Sequence, residues 1–132
     1  MTAVIDVSSA IDILLQKGKS EKYGNRLQES ALVLAPDLYI PELVNTLWKY
    51  HNAKILNQEE CAKFIEKGIS LVDKFINSAE IWQEAFSEGV HNRHSTYDMF
   101  YLVTARRNNG ILVTSDSALA AICKKNRIEI CH

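Results

Sequence analysis

The sequence contains few cysteines and prolines, and these shortages exclude several classes of protein. The three cysteines, Cys61, Cys123 and Cys131, are an odd set without a C-x-x-C pair, which argues against a disulfide framework and against a zinc knuckle. Cys123 and Cys131 could meet across a helix-to-strand return, but packed thiols are the better interpretation. The two prolines, Pro36 and Pro41, and the five glycines form no linker and no low-complexity segment.

Long apolar runs and nucleotide-binding loops are also missing. No stretch approaches the roughly 20 consecutive apolar residues that a membrane-spanning helix requires, and the short apolar run after Met1 has no basic leader before it. The sequence also lacks the Gly-rich loop of P-loop nucleotide hydrolases and the G-x-S-x-G elbow of serine hydrolases. We therefore expect a cytoplasmic protein that has no membrane partner and belongs to neither hydrolase class.

The composition is that of an ordinary globular protein, with 47% hydrophobic and 23% charged residues. A chain of 132 residues is the usual size of one folded unit, so we predict a single domain over residues 1–132. The formal net charge of -1 means that global charge does not attract a polyanionic partner. The last third of the chain is locally basic, although solvated helix faces are the simpler explanation.

Short apolar segments alternate with amphipathic helices along the chain. The clearest buried strands are Ala3–Ile5 and Ile111–Val113, and a last strand is expected over Ile128–Ile130. This alternation predicts an α/β fold with a mainly parallel central sheet that is flanked by helices on both faces.

Capping residues and breakers predict several helix boundaries. We expect the first helix to begin at Ser8 or Ser9 and to fray near Gly24, and Pro41 to occupy the first position of a later helix. The segment from Ile69 to Phe75 either continues a helix or forms an edge strand. Further helix caps are assigned to Asn57, Ser78 and either Ser95 or Thr96.

Four acidic residues are placed by this arrangement at one edge of the sheet. Asp6 and Asp116 each follow an apolar strand, at the carboxyl edge where ligands bind in open α/β sheets. A helix from Tyr97 to Asn108 runs about 18 Å, and the returning strand to Asp116 covers about 20 Å. Asp98 therefore lies level with Asp116. Glu42, which starts a helix after Pro41, is expected at the same edge, with Asn45 and Lys49 on its helical face.

A cluster of four carboxylates requires cations or bound protons, because the charges repel one another. Oxygen ligands with little histidine or thiolate suit Mg²⁺ or Mn²⁺ and not zinc. Such an ion activates water and stabilises the charge that develops on a phosphate during hydrolysis. Each acid taken singly has another interpretation: Asp6 and Asp116 as helix caps, Glu42 and Asp98 as first-turn acids. Their joint placement favours a metal site.

Four sequence blocks around these acids resemble the motifs of the PIN-domain ribonucleases in order and spacing. The blocks are Val4–Ser8 (VIDVS), Pro41–Asn45 (PELVN), Tyr97–Ala105 (YDMFYLVTA) and Leu112–Leu119 (LVTSDSAL). The match spans nearly the whole chain, and a chain of this size most resembles the toxins of bacterial and archaeal VapBC toxin–antitoxin pairs. The resemblance implies a PIN-like fold.

The resemblance also implies a function, an Mg²⁺- or Mn²⁺-dependent endoribonuclease. Asp6, Glu42, Asp98 and Asp116 would hold the metal and position the attacking water. Positions that match supporting polar residues of the family are Ser8, Asn45 and Thr114. Members typically form homodimers and are inhibited by a VapB-type antitoxin whose tail crosses the active-site groove. Some relatives carry a further acid after the last aspartate, where this chain has Ser117 and Ala118, which argues against a tightly bound second metal.

RNA contacts are expected from cations near the acids. Arg93 and His94 precede the helix that carries Asp98, and Lys49 shares the helix of Glu42. A solvated loop explains Arg93 and His94 equally well, and a zinc site at His91 and His94 lacks a third ligand. Aromatic residues at helical spacing indicate core or a dimer interface and not base stacking; they are Trp48, Trp82, Phe86 and Phe100.

Two other functions remain open at this point. The first is a catalytically silent domain of the same architecture that acts as an RNA- or protein-binding adaptor. The second is a metal-dependent DNA nuclease or phosphatase, because acidic residues alone do not separate RNA from DNA substrates. The choice of RNA depends on the resemblance. The retention of all four acids favours an enzyme over an adaptor.

Overall fold

The computed structural model describes every residue from Met1 to His132. Its elements are β1 (Thr2–Ile5), α1 (Val7–Leu15), α2 (Ser20–Glu29), β2 (Leu32–Pro36), α3 (Tyr39–Asn52), α4 (Gln58–Ser70), β3 (Lys74–Ile76), α5 (Ser78–Asn92), α6 (Thr96–Arg107), β4 (Ile111–Val113), α7 (Ser117–Lys125) and β5 (Ile130–Cys131). The strands form one five-stranded sheet in the order β3-β2-β1-β4-β5, and every pair is parallel. The predicted α/β fold is therefore confirmed.

Both faces of the sheet are covered by helices. Val4 and Leu112 belong to the larger core, and Ala3 and Ile111 belong to a smaller one that includes Tyr23 of α2. Successive residues of a strand point to opposite faces, so the two cores lie on opposite sides of β1 and β4. β4 and all of β1 after Thr2 are apolar and buried, because neither face of these central strands meets water.

The central pair also aligns the loops that follow it. Val4 pairs with Leu112 and Ile5 with Val113, and the Asp6 amide donates a 3.2 Å hydrogen bond to the Val113 carbonyl. The residues after β1 and after β4 therefore leave the sheet side by side. This register brings Asp6 next to Thr114.

Several predicted helix boundaries were wrong. The first helix begins at Val7, with Asp6 as its cap, and not at Ser8 or Ser9. Gly24 lies inside α2 and not at a frayed end; its cost of about 1 kcal/mol relative to alanine is opposed by the burial of Tyr23 on the same helix. Pro41 is not the first residue of its helix, because α3 begins at Tyr39; a first-turn amide has no helical acceptor, so proline is tolerated there. Asn77, and not Ser78, caps α5.

The last strand was predicted two residues too early. Arg127 adopts a left-handed φ of 60°, and the Ile128 amide bonds to the Cys123 carbonyl. Ile128 is thus used in the turn after α7, and β5 begins at Ile130. The other ambiguous segment resolves into two elements, since α4 ends at Ser70 and an edge strand starts at Lys74.

The remaining expectations concern caps, cysteines and aromatic residues. Asn57 caps α4 in a capping box, as predicted, and the buried thiols are all unpaired. Of the two predicted alternatives, core or dimer interface, the core is wrong for Trp48, Trp82 and Phe86, which are 56%, 53% and 61% exposed. Phe100 packs against the core. None of the helices is both long enough and apolar enough to cross a bilayer.

Candidate functional site

The four predicted acids line one cavity of about 390 Å³ at the carboxyl edge of the sheet: Asp6, Glu42, Asp98 and Asp116. Asp6 and Asp116 follow β1 and β4 and cap α1 and α7, whereas Glu42 and Asp98 occupy the first turns of α3 and α6. The four acids thus act as helix caps or first-turn acids, and they also form the predicted cluster. A helix N-terminus favours negative charge, which makes each position tolerant of an acid.

Asp6 is the most buried of the four acids, with 5% of its surface exposed. Its Oδ1 accepts hydrogen bonds from Ser8 Oγ at 2.8 Å and from the amide and hydroxyl of Ser9 at 3.0 Å each, while Oδ2 accepts from the Thr114 hydroxyl. Burial raises the pKa of Asp6 above its ordinary value of 3.8, and these donors oppose the rise. The geometry of Asp6 is therefore fixed by neighbours on α1 and by the residue that follows β4.

Glu42 is held from the opposite wall by Tyr101. The buried Tyr101 hydroxyl donates a 2.6 Å hydrogen bond to Glu42 Oε1. Burial raises the pKa of Glu42, the Tyr101 hydrogen bond lowers it, and the charges of Asp98 and Asp6 raise it further. Repulsion between these carboxylates is thus part of the electrostatics of the cavity, as expected for a cluster without counter-ions.

Asp98 and Asp116 are each bonded through one oxygen. His94 Nε2 donates to Asp98 Oδ2 at 2.6 Å. Asp116 Oδ1 accepts from the amides of Ala118 at 2.9 Å and Leu119 at 3.0 Å, which completes the cap of α7. The second oxygens of Glu42, Asp98 and Asp116 accept no hydrogen bond from the protein.

These free oxygens are the groups that could hold a metal ion. Carboxylate oxygens suit a hard cation such as Mg²⁺ or Mn²⁺, and the cavity contains no cysteine or histidine lining that would favour zinc. No three acids stand close enough together to hold one ion in the conformation described. The donor chemistry therefore fits the cation, and ligation by three side chains requires them to rotate.

The predicted supporting residues divide into two groups. Ser8 and Thr114 both contact Asp6, and Ser8 Oγ lies 3.3 Å from Thr114 Oγ1. Asn45 is exposed and does not line the cavity, whereas Thr46 does. Residues three and four positions after Glu42 both lie near its helical face, so the sequence could not decide between Asn45 and Thr46. The structure places the cavity on the side of α3 that Thr46 faces.

The predicted RNA-contacting residues lie outside the cavity lining. His94 is engaged by Asp98, Arg93 ends α5 in a left-handed conformation with φ of 52°, and Lys49 is exposed on α3. The cavity has a different cation, Lys17, which follows α1. No sequence signal identifies Lys17, because its position depends on the path of the turn between α1 and α2.

Comparisons with known proteins agree with this architecture. The family model described as PIN domain matches residues 3–125. Ribonuclease VapC3 of Pyrobaculum aerophilum is 25% identical over 122 residues, which cover 91% of this chain and 93% of that protein.

Two solved structures share the fold. PAE2754 from Pyrobaculum aerophilum has a TM-score of 0.73 at 21% identity and covers 92% of this chain and 87% of its own. FitAcB from Neisseria gonorrhoeae has a TM-score of 0.64 at 15% identity and covers 98% of this chain and 96% of its own.

Proposed function

The chain belongs to the PIN domain family, and from that premise we propose that it is an Mg²⁺- or Mn²⁺-dependent endoribonuclease toxin of the VapBC type. The observation that carries the proposal is the convergence of four carboxylates, from four separate elements, in one open cavity. Similarity to a protein named as a ribonuclease over nine-tenths of the chain supports RNA as the substrate.

In this proposal the metal is held by oxygens of Asp6, Glu42, Asp98 and Asp116. A bound ion supplies an activated water and neutralises the charge that develops on the cleaved phosphate. Asp6 cannot reorient freely, because Ser8, Ser9 and Thr114 hold both of its oxygens. Tyr101, on α6, holds one oxygen of Glu42 and leaves the other free. Such donors orient the ligands of a metal site and strengthen its affinity.

The test is cleavage of a labelled pool of cellular RNA by the purified chain without its antitoxin. We expect cutting with Mg²⁺ or Mn²⁺, no cutting with a chelator, and no cutting by Asp98→Asn, which removes one charge and keeps the shape of the side chain. Circular dichroism of the variant checks that the fold is retained.

Different outcomes of this test separate the two candidate functions. Cutting by Asp98→Asn at the wild-type rate would contradict the role of Asp98. Failure of the wild-type chain both to cut RNA and to bind a divalent ion would favour the adaptor function. The adaptor function offers no physical reason for a cluster of carboxylates that repel one another.

The proposal includes two protein partners, a second copy of this chain and a VapB-type antitoxin. An apolar stripe on α5 supports a protein interface: Trp82, Phe86 and Val90 follow one another at four-residue steps and are 53%, 61% and 65% exposed. We expect light scattering to give twice the mass of the chain for the purified protein, and a larger complex after co-expression with the antitoxin. A monomeric mass at micromolar concentration would refute the homodimer.

A further inference from the structure

One cation lies among the acidic residues of the cavity. Lys17, in the turn between α1 and α2, is the single lysine or arginine of the lining. Its Nζ donates a 2.8 Å hydrogen bond to the Tyr50 hydroxyl and lies 5.5 Å from the centre of that ring. These contacts restrict a flexible side chain and keep its ammonium group at the cavity wall.

Lys17 has no ion-paired carboxylate, although the charge of Asp12 acts on it from a longer distance. It takes part in none of the salt bridges of the chain. Arg106 and Arg107, by contrast, both pair with Glu84, at 2.7 and 3.0 Å. Because its hydrogen-bond partner is a neutral phenol, Lys17 has donors and charge left for an anion outside the protein.

The position of Lys17 along the cavity follows from α3. Glu42 and Thr46 line the cavity, and Tyr50 follows on the same helical face after a further four residues. Eight residues of helix correspond to about 12 Å. The backbone of Tyr50 thus lies about two turns of α3 beyond that of Glu42, and the ammonium group of Lys17, bonded to the Tyr50 hydroxyl, lines the same cavity as Glu42.

We propose that Lys17, positioned by Tyr50, binds a phosphate of the RNA strand next to the phosphate that is cleaved. The inference rests on the proposed ribonuclease function and adds a residue that positions the substrate. A polyanion approaching five acidic side chains meets repulsion at the mouth of the cavity, since Asp12 lines it as well. The ammonium group of Lys17, which Tyr50 holds at the wall, offsets part of that repulsion and directs the strand to this side of the cavity.

The test measures RNA binding without cleavage. Lys17→Gln is introduced into the inactive Asp98→Asn chain, and fluorescence anisotropy follows binding of a short mixed-sequence single-stranded RNA at saturating Mg²⁺. We expect Kd to rise about fivefold or more. The slope of log Kd against log salt should fall by about 0.7, because one fewer phosphate is neutralised on a single strand.

Three further variants distinguish positioning from general charge. Lys63→Gln removes an exposed lysine of α4 that pairs with Glu59 outside the cavity, and it should leave Kd and slope as they were. Lys17→Arg keeps the charge and should recover most of the affinity. Tyr50→Phe removes the hydroxyl and keeps the ring and the lysine, so Kd should rise without a change in slope.

An unchanged Kd and slope for Lys17→Gln would overturn the proposal and leave an acidic protein partner as the ligand of this lysine. An equal change in Lys63→Gln would also overturn it, because the effect would then be global charge. Cleavage by the wild-type chain is scored separately in the RNA-pool assay. If Lys17→Gln does not change RNA binding but the wild-type chain cleaves RNA, only this inference is refuted. If the wild-type chain shows no metal-dependent cleavage at all, the proposed function is refuted.

Discussion

Asp6→Asn is expected to reduce RNA cleavage by about a thousandfold or more and, in the same protein, to stabilise the metal-free fold. Cleavage falls because the variant lacks the carboxylate charge of Asp6, which is one of the four proposed metal ligands. The fold tolerates the change, since the asparagine oxygen can accept from Ser8 and Ser9 and its amide can donate to Thr114 Oγ1. Asparagine is also as good an N-cap as aspartate.

The gain in stability follows from the raised pKa of Asp6. Because burial raises this pKa above 3.8, the folded chain binds the proton more tightly than the unfolded chain does. The contribution of Asp6 to stability is therefore fully present below about pH 4 and is lost as pH rises through the raised pKa. Glu42 has a raised pKa from burial and acts in the same direction.

Thermal unfolding in a chelator checks this prediction. The Tm values of wild type and Asp6→Asn should agree near pH 4 and diverge as pH rises, with the variant higher by about 3–5 °C at neutral pH, or about 1 kcal/mol. Saturating Mg²⁺ should raise the wild-type Tm and not that of the variant, because a ligand stabilises the state that binds it.

Asp12→Asn is the matched control for the loss of an acid. Asp12 lines the same cavity but is not one of the four predicted ligands. We expect it to retain metal-dependent cleavage. Equal losses in the two variants would mean that overall charge of the cavity, and not Asp6 itself, limits cleavage. A lower Tm for Asp6→Asn at neutral pH would contradict the electrostatic account.

The relative positions of several site residues could be predicted from element lengths and strand order. A helix and a strand of nearly equal length carry the chain out and back between Asp98 and Asp116, and the structure places both acids in one cavity. Parallel pairing of β1 with β4 likewise puts Asp6 beside Thr114. These relations depend only on rise per residue and on strand order.

Orientation of side chains could not be predicted in the same way. The contact of Tyr101 with Glu42 depends on how α6 packs against α3, and no periodicity in the sequence encodes it. The contact of His94 with Asp98 is local, but it depends on the turn that precedes α6. Lys17 was missed because a left-handed Gln16 redirects the chain after α1. Asn45 was predicted in place of its neighbour Thr46, because both lie near the helical face of Glu42 and only the structure shows which one lines the cavity.

Substitution of Asp116 separates the two functions of this residue, the cap of α7 and the proposed metal ligand. Asp116→Asn keeps an oxygen that can accept from the amides of Ala118 and Leu119, whereas Asp116→Ala keeps none. Alanine should lower the free energy of unfolding by about 1 kcal/mol. Asparagine should change it by less, because loss of a favourable charge at the helix N-terminus is opposed by relief of repulsion among the acids.

Cleavage is expected to behave differently from stability in these two variants. If Asp116 holds the metal, both variants lose cleavage to a similar degree, by about a thousandfold, although only alanine lowers the Tm in a chelator. If Asp116 is a cap alone, cleavage follows Tm, and Asp116→Asn cuts at the wild-type rate. Asp37→Asn is a suitable control, because Asp37 accepts from the Ser78 hydroxyl at 2.6 Å near the start of α5 and lies outside the cavity lining. Comparing activity with Tm in the same three proteins thus decides whether the carboxylate at the end of β4 serves the fold, the chemistry or both.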